Sequence, residues 1–142
     1  MIVIDTSAWI AGLVSGDAHH ADTVPFLRLM ESQSTQFAVP AHFLAEIAGV
    51  LARTGEVDAI VGVEIRSIET SGRFHITPVT VGLGLLAAEI AQVARIRGAD
   101  AVFVALARGL DLPLITWDRQ QQERGGAFCR TMTPVEAMAL DR

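Results

Sequence analysis

The chain has 142 residues, 51% of them apolar, with 16 acidic and 11 basic side chains and a net charge of −5. That length fits one domain over residues 1–142, able to bury roughly two-thirds of its unfolded surface without staples, and the acidic balance argues against a general nucleic-acid coat. All 11 basic residues are Arg, which excludes every mechanism that needs a lysine: P-loop phosphate binding, Schiff-base chemistry and lysine-assisted phosphotransfer.

One cysteine, Cys129, cannot bridge within the chain and suits a reducing compartment. The first residues lack the basic start and apolar length of a signal peptide, and no apolar run reaches the roughly 18 residues of a membrane span. A cytoplasmic protein with no membrane association is expected. The mean hydropathy of +0.40 leaves room for a partner to cover part of the apolar load, although a core rich in Ala and Val gives the same value.

In chain order, Ile2-Val3-Ile4 reads as a short strand buried on both faces, and the chain turns polar abruptly at Asp5. Thr6 and Ser7 lead into an apolar run, so Asp5 suits a helix N-cap. It also stands at the carboxyl end of a strand, where open α/β sheets bind ligands. Asp17 to Ser32 reads as an amphipathic helix carrying Val24, Phe26, Leu27, Leu29 and Met30. His19 and His20 within it point about 100° apart on a helix and cannot share one metal. Phe37 to Val39 reads as a strand stopped by Pro40, which fits the first turn of a helix running to Arg53. Glu46 lies at helical spacing beside Phe43, Ile47 and Val50, on or next to the face they bury. A carboxylate there costs several kcal/mol by order of magnitude unless paired, protonated or coordinating. The alternative is a rim residue paired with Arg53 or another Arg.

Thr54-Gly55 breaks that helix, and Glu56 to Ser71 resumes with Val57, Ile60, Val61, Ile65 and Ile68 on one stripe, which predicts a helical hairpin able to present an oligomer surface. Phe74 to Thr77 reads as a third strand, stopped by Pro78. Val81 to Arg97 is a long apolar helix. Its Gly82-Leu-Gly84-Leu-Leu-Ala87 matches the dinucleotide pattern by letters, but Pro78 and Thr80 separate it from the strand and its glycines fall inside the helix, so no dinucleotide site is expected. Gly98 is read as ending this helix and Asp100 as opening the next, whose run Ala101 to Ala107 is apolar all round and therefore central. Leu112 to Thr116 reads as a fourth strand opened by Pro113, with Trp117-Asp118-Arg119 at its carboxyl end.

Two strands thus end in Asp, and two helices carry a Glu and an Asp near their starts. In a parallel sheet with right-handed crossovers, Asp5, Glu46, Asp100 and Asp118 share one edge. Four carboxylates in one cleft repel one another unless a cation joins them. All-oxygen donors suit Mg²⁺ or Mn²⁺, and the absence of a Cys/His cluster disfavours zinc. Such a site activates water and clamps a phosphodiester without a side-chain nucleophile. Thr6, Ser7 and Thr116 are candidate donors to orient the carboxylates.

In that order, Ile2-Val-Ile-Asp5-Thr-Ser, Glu46-Ile-Ala-Gly-Val-Leu-Ala-Arg53, Arg97-Gly-Ala-Asp100-Ala-Val-Phe-Val-Ala-Leu-Ala and Leu114-Ile-Thr-Trp-Asp118 resemble the four acidic stations of PIN-domain ribonucleases. The likeness covers essentially the whole chain and is greatest to the VapC-type toxins of toxin–antitoxin pairs. It implies a three-layer α/β/α sandwich with a mainly parallel sheet, and cleavage of RNA by metal-activated water leaving 5′-phosphate and 3′-hydroxyl ends. Asp5 and Asp100 match best, as core metal ligands; Glu46 joins them, and Asp118 falls at the most variable acidic station. Trp117 stands where a small or aliphatic residue is commoner. The resemblance further implies a homodimer and an antitoxin whose C-terminal segment crosses the cleft and presents an Arg to the acids. Trp9, Ile10, Leu13, Val57, Ile60 and Val61 are candidates for surface covered in these assemblies, and Arg97 and Arg119 for phosphate contacts. Two rivals remain: a free-standing PIN nuclease of RNA processing or DNA repair, and a silent binding module, which should have lost one of the stronger acids.

Overall fold

The computed structural model describes residues 1–55 and 58–140. Five short strands, β1 (Ile2–Ile4), β2 (Phe37–Pro40), β3 (Phe74–Thr77), β4 (Leu114–Ile115) and β5 (Thr131–Met132), form one sheet in the order β3-β2-β1-β4-β5. Every pairing is parallel, with Ile2 opposite Phe37, Val3 opposite Leu114 and Ile115 opposite Met132. Successive side chains of a strand point to opposite faces, yet Val3, Ile4, Phe37, Ala38, Val39, Leu114 and Ile115 are all fully buried, so both faces are covered. The helices that cover them are α1 (Thr6–Leu13), α2 (His20–Ser32), α3 (Phe43–Arg53), α4 (Asp58–Thr70), α5 (Val81–Ala94), α6 (Gly98–Leu110) and α7 (Pro134–Leu140). The result is the expected α/β/α arrangement, with its sheet parallel throughout. The run in α6 is central as its composition requires: Ala101 and Phe103 to Ala107 are buried, with α5 packed along it. No helix among the described residues is long and apolar enough to cross a membrane.

The strand order reverses direction at β1, whose neighbours β2 and β4 are reached by crossovers to opposite sides. Asp5 follows β1 and Asp118 follows β4, so both stand at the crevice that such a switch point opens.

Several boundaries differ from the sequence reading, each for a local reason. The helix expected from Asp17 begins at His20, because the Asp17 carboxylate takes the His19 N–H at 2.8 Å and holds a turn there. Pro40 closes β2 rather than opening the next helix; Ala41 then donates to the Thr77 carbonyl at 2.9 Å and α3 starts at Phe43. Helix α5 stops at Ala94, where Arg95 adopts a left-handed φ of 55°, and Gly98 opens α6 instead of ending its predecessor. Asp100 therefore sits in the first turn of α6, not at its cap. The fourth strand is two residues long, and β5 and α7 were not anticipated. Trp9 and Ile10, candidates for a covered surface, are core residues at 8% and 7% exposure, with the Trp9 ring edge-on to Phe37 and Phe74. Leu13 and Ile60 are exposed and Val61 half-buried. Glu56 and Val57 lie outside the described residues.

Candidate active site

The β1–β4 ladder delivers Asp5: its N–H donates to the Ile115 carbonyl at 3.1 Å, and the chain then turns into α1. Oδ1 caps that helix by accepting from the Ala8 N–H at 3.0 Å and from the Ser7 hydroxyl at 2.8 Å. Asp5 is thus a true N-cap, and its second oxygen takes no part in the cap. The residue is 3% exposed, and burial pushes its carboxyl up to about 6 against the opposing hydrogen bonds from Ala8 and Ser7.

Facing Oδ2 is a residue the sequence reading missed. Gln121 is 1% exposed and opens a single π-helical turn, Gln121–Gly125. Its Nε2 donates to Asp5 Oδ2 at 3.1 Å and lies 3.4 Å from Asp100 Oδ1, so one amide bridges two carboxylates. Among the described residues, its buried Oε1 has no hydrogen-bond partner. A signal for it existed: Asp118 caps the turn by accepting the Gln121 N–H at 2.8 Å, and Asp-x-x-Gln is capping-box spacing. Here the Gln side chain reaches across to Asp5 instead of back to the cap.

Asp100 also accepts from Arg97 Nε at 2.8 Å, and Arg97 Nη2 is 3.7 Å from Asp118 Oδ2. The hydrogen bond to Asp100, then that carboxylate's charge, hold the guanidinium still more firmly protonated than usual. Glu46 is half-buried; Thr6 Oγ1 donates to its Oε2, and His42 Nε2 is 3.9 Å from Oε1. Thr116 is fully buried and its hydroxyl accepts the Asp118 N–H at 2.9 Å. Ser7 Oγ lies 3.5 Å from that hydroxyl and accepts the Trp117 N–H at 3.0 Å.

Asp5, Glu46, Asp100 and Asp118, with Thr6 and Ser7, all line one cavity of about 560 Å³. Arg97 and Arg53 line it too, whereas Arg119 turns away to pair with Glu123 at 3.2 Å. Among the described residues, no three or more Asp, Glu, His or Cys side chains are gathered closely enough to hold a metal ion. The Gln121 amide and the Arg97 guanidinium stand between the acids and take up their lone pairs. The donor chemistry nonetheless suits a hard cation: four carboxylates with the Thr6 and Ser7 hydroxyls beside them on one cavity.

A wholly parallel sheet, helices on both faces and an acidic cleft at the switch point define an α/β protein of the open-sheet class, in which ligands bind at the carboxyl edge of the sheet. Residues 2–127 match the PIN domain family model, and the chain belongs to the PIN domain family. Among solved structures it is similar to VapC20 of Mycobacterium tuberculosis, described as a sarcin-ricin loop cleaving toxin, at 26% identity over 84% of this chain and 91% of that one, with a TM-score of 0.68. FitAcB from Neisseria gonorrhoeae shares the fold at 20% identity over 94% of this chain and 98% of that one, with a TM-score of 0.68. So does VapBC2 from Rickettsia felis bound to a promoter DNA fragment, at 14% identity, the same two coverages and a TM-score of 0.65. No curated protein matches the sequence.

Proposed function

We propose that this protein is a divalent-metal-dependent endoribonuclease and the toxin of a toxin–antitoxin pair. The observation that carries the reading is the convergence of Asp5, Glu46, Asp100 and Asp118, from four separate stretches of chain, on one cavity at the switch point. Membership of the PIN domain family supports nuclease chemistry, and the likeness to a toxin that cleaves the sarcin-ricin loop supports RNA as its substrate. The likeness to toxin–antitoxin assemblies supports an antitoxin partner, and we extend the reading to a homodimer.

Asp5 and Asp100, already joined through Gln121, would hold Mg²⁺ or Mn²⁺, with Glu46 and Asp118 completing the oxygen set. A hard cation there supplies charge neutralisation and a water acidic enough to attack phosphorus. The chain's own residues do the rest. Thr6 fixes the Glu46 carboxylate, Ser7 and Thr116 fix Asp5 and the Asp118 backbone, and Gln121 holds Asp5 and Asp100 at a set separation. Arg97, mostly exposed at the cavity edge, can leave Asp118 for a non-bridging phosphate oxygen and stabilise charge gathering there. No side chain has to become covalently attached, and the expected products carry 5′-phosphate and 3′-hydroxyl ends.

The test is cleavage of mixed cellular RNA by the wild-type chain and by Asp5→Asn and Asp100→Asn, each with Mg²⁺, with Mn²⁺ and with chelator. Cleavage by wild type in metal alone, lost in both folded variants, is the expected result. Equal cleavage in every sample would overturn the reading.

A further inference from the structure

The cavity has an aromatic lip that none of this chemistry uses. His19 and Trp117 both line it, and their rings lie 4.1 Å apart and within 7° of parallel. The indole is pinned at both ends. Its Nε1–H donates to the Thr23 hydroxyl at 2.8 Å, Thr23 being fully buried, and the Trp117 N–H donates to the Ser7 hydroxyl that also serves Asp5. His19 is exposed, and among the described residues no hydrogen bond or ion pair engages its imidazole. An exposed flat ring is therefore held against a fixed one, directly beside Asp118.

We propose that His19 and Trp117 form a stacking platform for one unpaired base of the RNA, seating the neighbouring phosphodiester over the carboxylates. The proposal rests on the ribonuclease reading and adds to it what part of the substrate is gripped. A nucleotide is a flat apolar ring on a charged linker, and the cavity offers a counterpart to each: the ring pair at the lip, and the acids with Arg97 beyond it. Aromatic platforms accept any base with an accessible face, and bases inside a duplex have none. The platform thus selects single-stranded or looped RNA. Because Trp117 is already immobilised, little conformational freedom is lost when a base docks.

The chain carries its own reporter. Of its two tryptophans, Trp9 is shielded in the core at 8% exposure, so changes in emission on ligand binding come from Trp117. The full chain in Mg²⁺ would be titrated with a short single-stranded oligoribonucleotide carrying cleavage-resistant phosphorothioate linkages. The comparisons are an abasic oligomer of the same length and linkage, and the same sequence held in a duplex. We expect quenching and tighter binding with the single-stranded oligomer only. His19→Ala should weaken its binding about tenfold without changing binding of the abasic oligomer, and His19→Phe, which keeps a flat ring, should restore it. Binding of the base-bearing oligomer unchanged in His19→Ala, or no tighter than that of the abasic one, would overturn the platform; so would no binding of either by wild type. The two readings fail separately. RNA cleavage by wild type with normal binding in His19→Ala would sink the platform alone. Base-dependent quenching with no cleavage in any metal would sink the nuclease alone.

Discussion

Two influences pull the Asp5 proton in opposite directions. Burial raises its pKa to about 6 from 3.8, against hydrogen bonds from Ala8, Ser7 and Thr116 that favour the carboxylate. The fold therefore holds this proton more tightly than the unfolded chain does. The contribution of this group to stability is most favourable below about pH 4 and is lost as pH rises through 6. At neutral pH without metal, the penalty amounts to about 3 kcal/mol by order of magnitude. Asp5→Asn should accordingly be the more stable protein in chelator at pH 7.5, as Gln121 can turn its unpartnered oxygen toward the new amide. Urea unfolding at pH 4.5 and 7.5 checks this: the gain should fall to about a third at the lower pH, and an equal gain at both would contradict it. Added Mg²⁺ should stabilise wild type but not the variant. Gln121 itself makes a second prediction. Gln121→Leu keeps the volume and removes the bridge, so the Mg²⁺ concentration for half-maximal cleavage should rise about tenfold or more, and stability should fall by about 1–3 kcal/mol as the buried Asp5 oxygen loses its donor. The four acids could be read from sequence because each is a charge set in apolar surroundings or at a strand end. Gln121 is neutral and its partners lie far away in the chain, and His19 and Trp117 meet only through the fold.

At the scale of elements, the long helices and the first four strands were legible, and the short elements at the C-terminal end, β5 and α7, were not. The runs that became α3, α5 and α6 span several turns, so their apolar spacing outweighs any one residue, and Phe74–Thr77 was bracketed by Gly72 and Pro78. Strand β4 was legible at Leu112 to Thr116 but shrank to two residues, whereas β5, also two residues, is too short for alternation to register and exists because β4 offers it a ladder edge. The start of α2 slid to His20 because the Asp17 carboxylate captured a backbone N–H, and that of α3 slid to Phe43 because Ala41 bonded to the sheet, neither of which periodicity reports. What α6 contributes is a rigid wall. Phe103, 1% exposed, meets the Phe43 ring at 6.3 Å and the His42 ring at 5.1 Å, tying α6 to the start of the helix that carries Glu46. Phe103→Ala should cost about 3–5 kcal/mol in urea unfolding, since the surrounding aromatic groups cannot collapse into the space. Leu85→Ala on the outer face of α5, where the side chain is 68% exposed, should stay within about 0.5 kcal/mol in the isolated chain. Equal losses would mean that a second copy of the chain covers α5.

For the whole molecule, the question is how a chain of net charge −5 holds a polyanion. Of its arginines, Arg53 and Arg97 line the cavity, and Arg97 is already shared between Asp100 and Asp118. Each phosphate neutralised on a single strand contributes about −0.7 to the slope of log K against log salt, so the slope here should lie between about −0.7 and −1.4. Anisotropy titrations of a labelled single-stranded RNA across low to physiological salt would measure it. A slope steeper than about −4 would require more phosphate contacts than the cleft can make and would place the RNA elsewhere on the surface. A shallow slope has a consequence for specificity. With little affinity available from charge, binding must come from the cation at the acids and from base contacts at the cavity lip. Both are short-ranged, and the second needs an unpaired base, so discrimination between RNAs follows from how readily each presents one loose nucleotide next to a reachable phosphodiester.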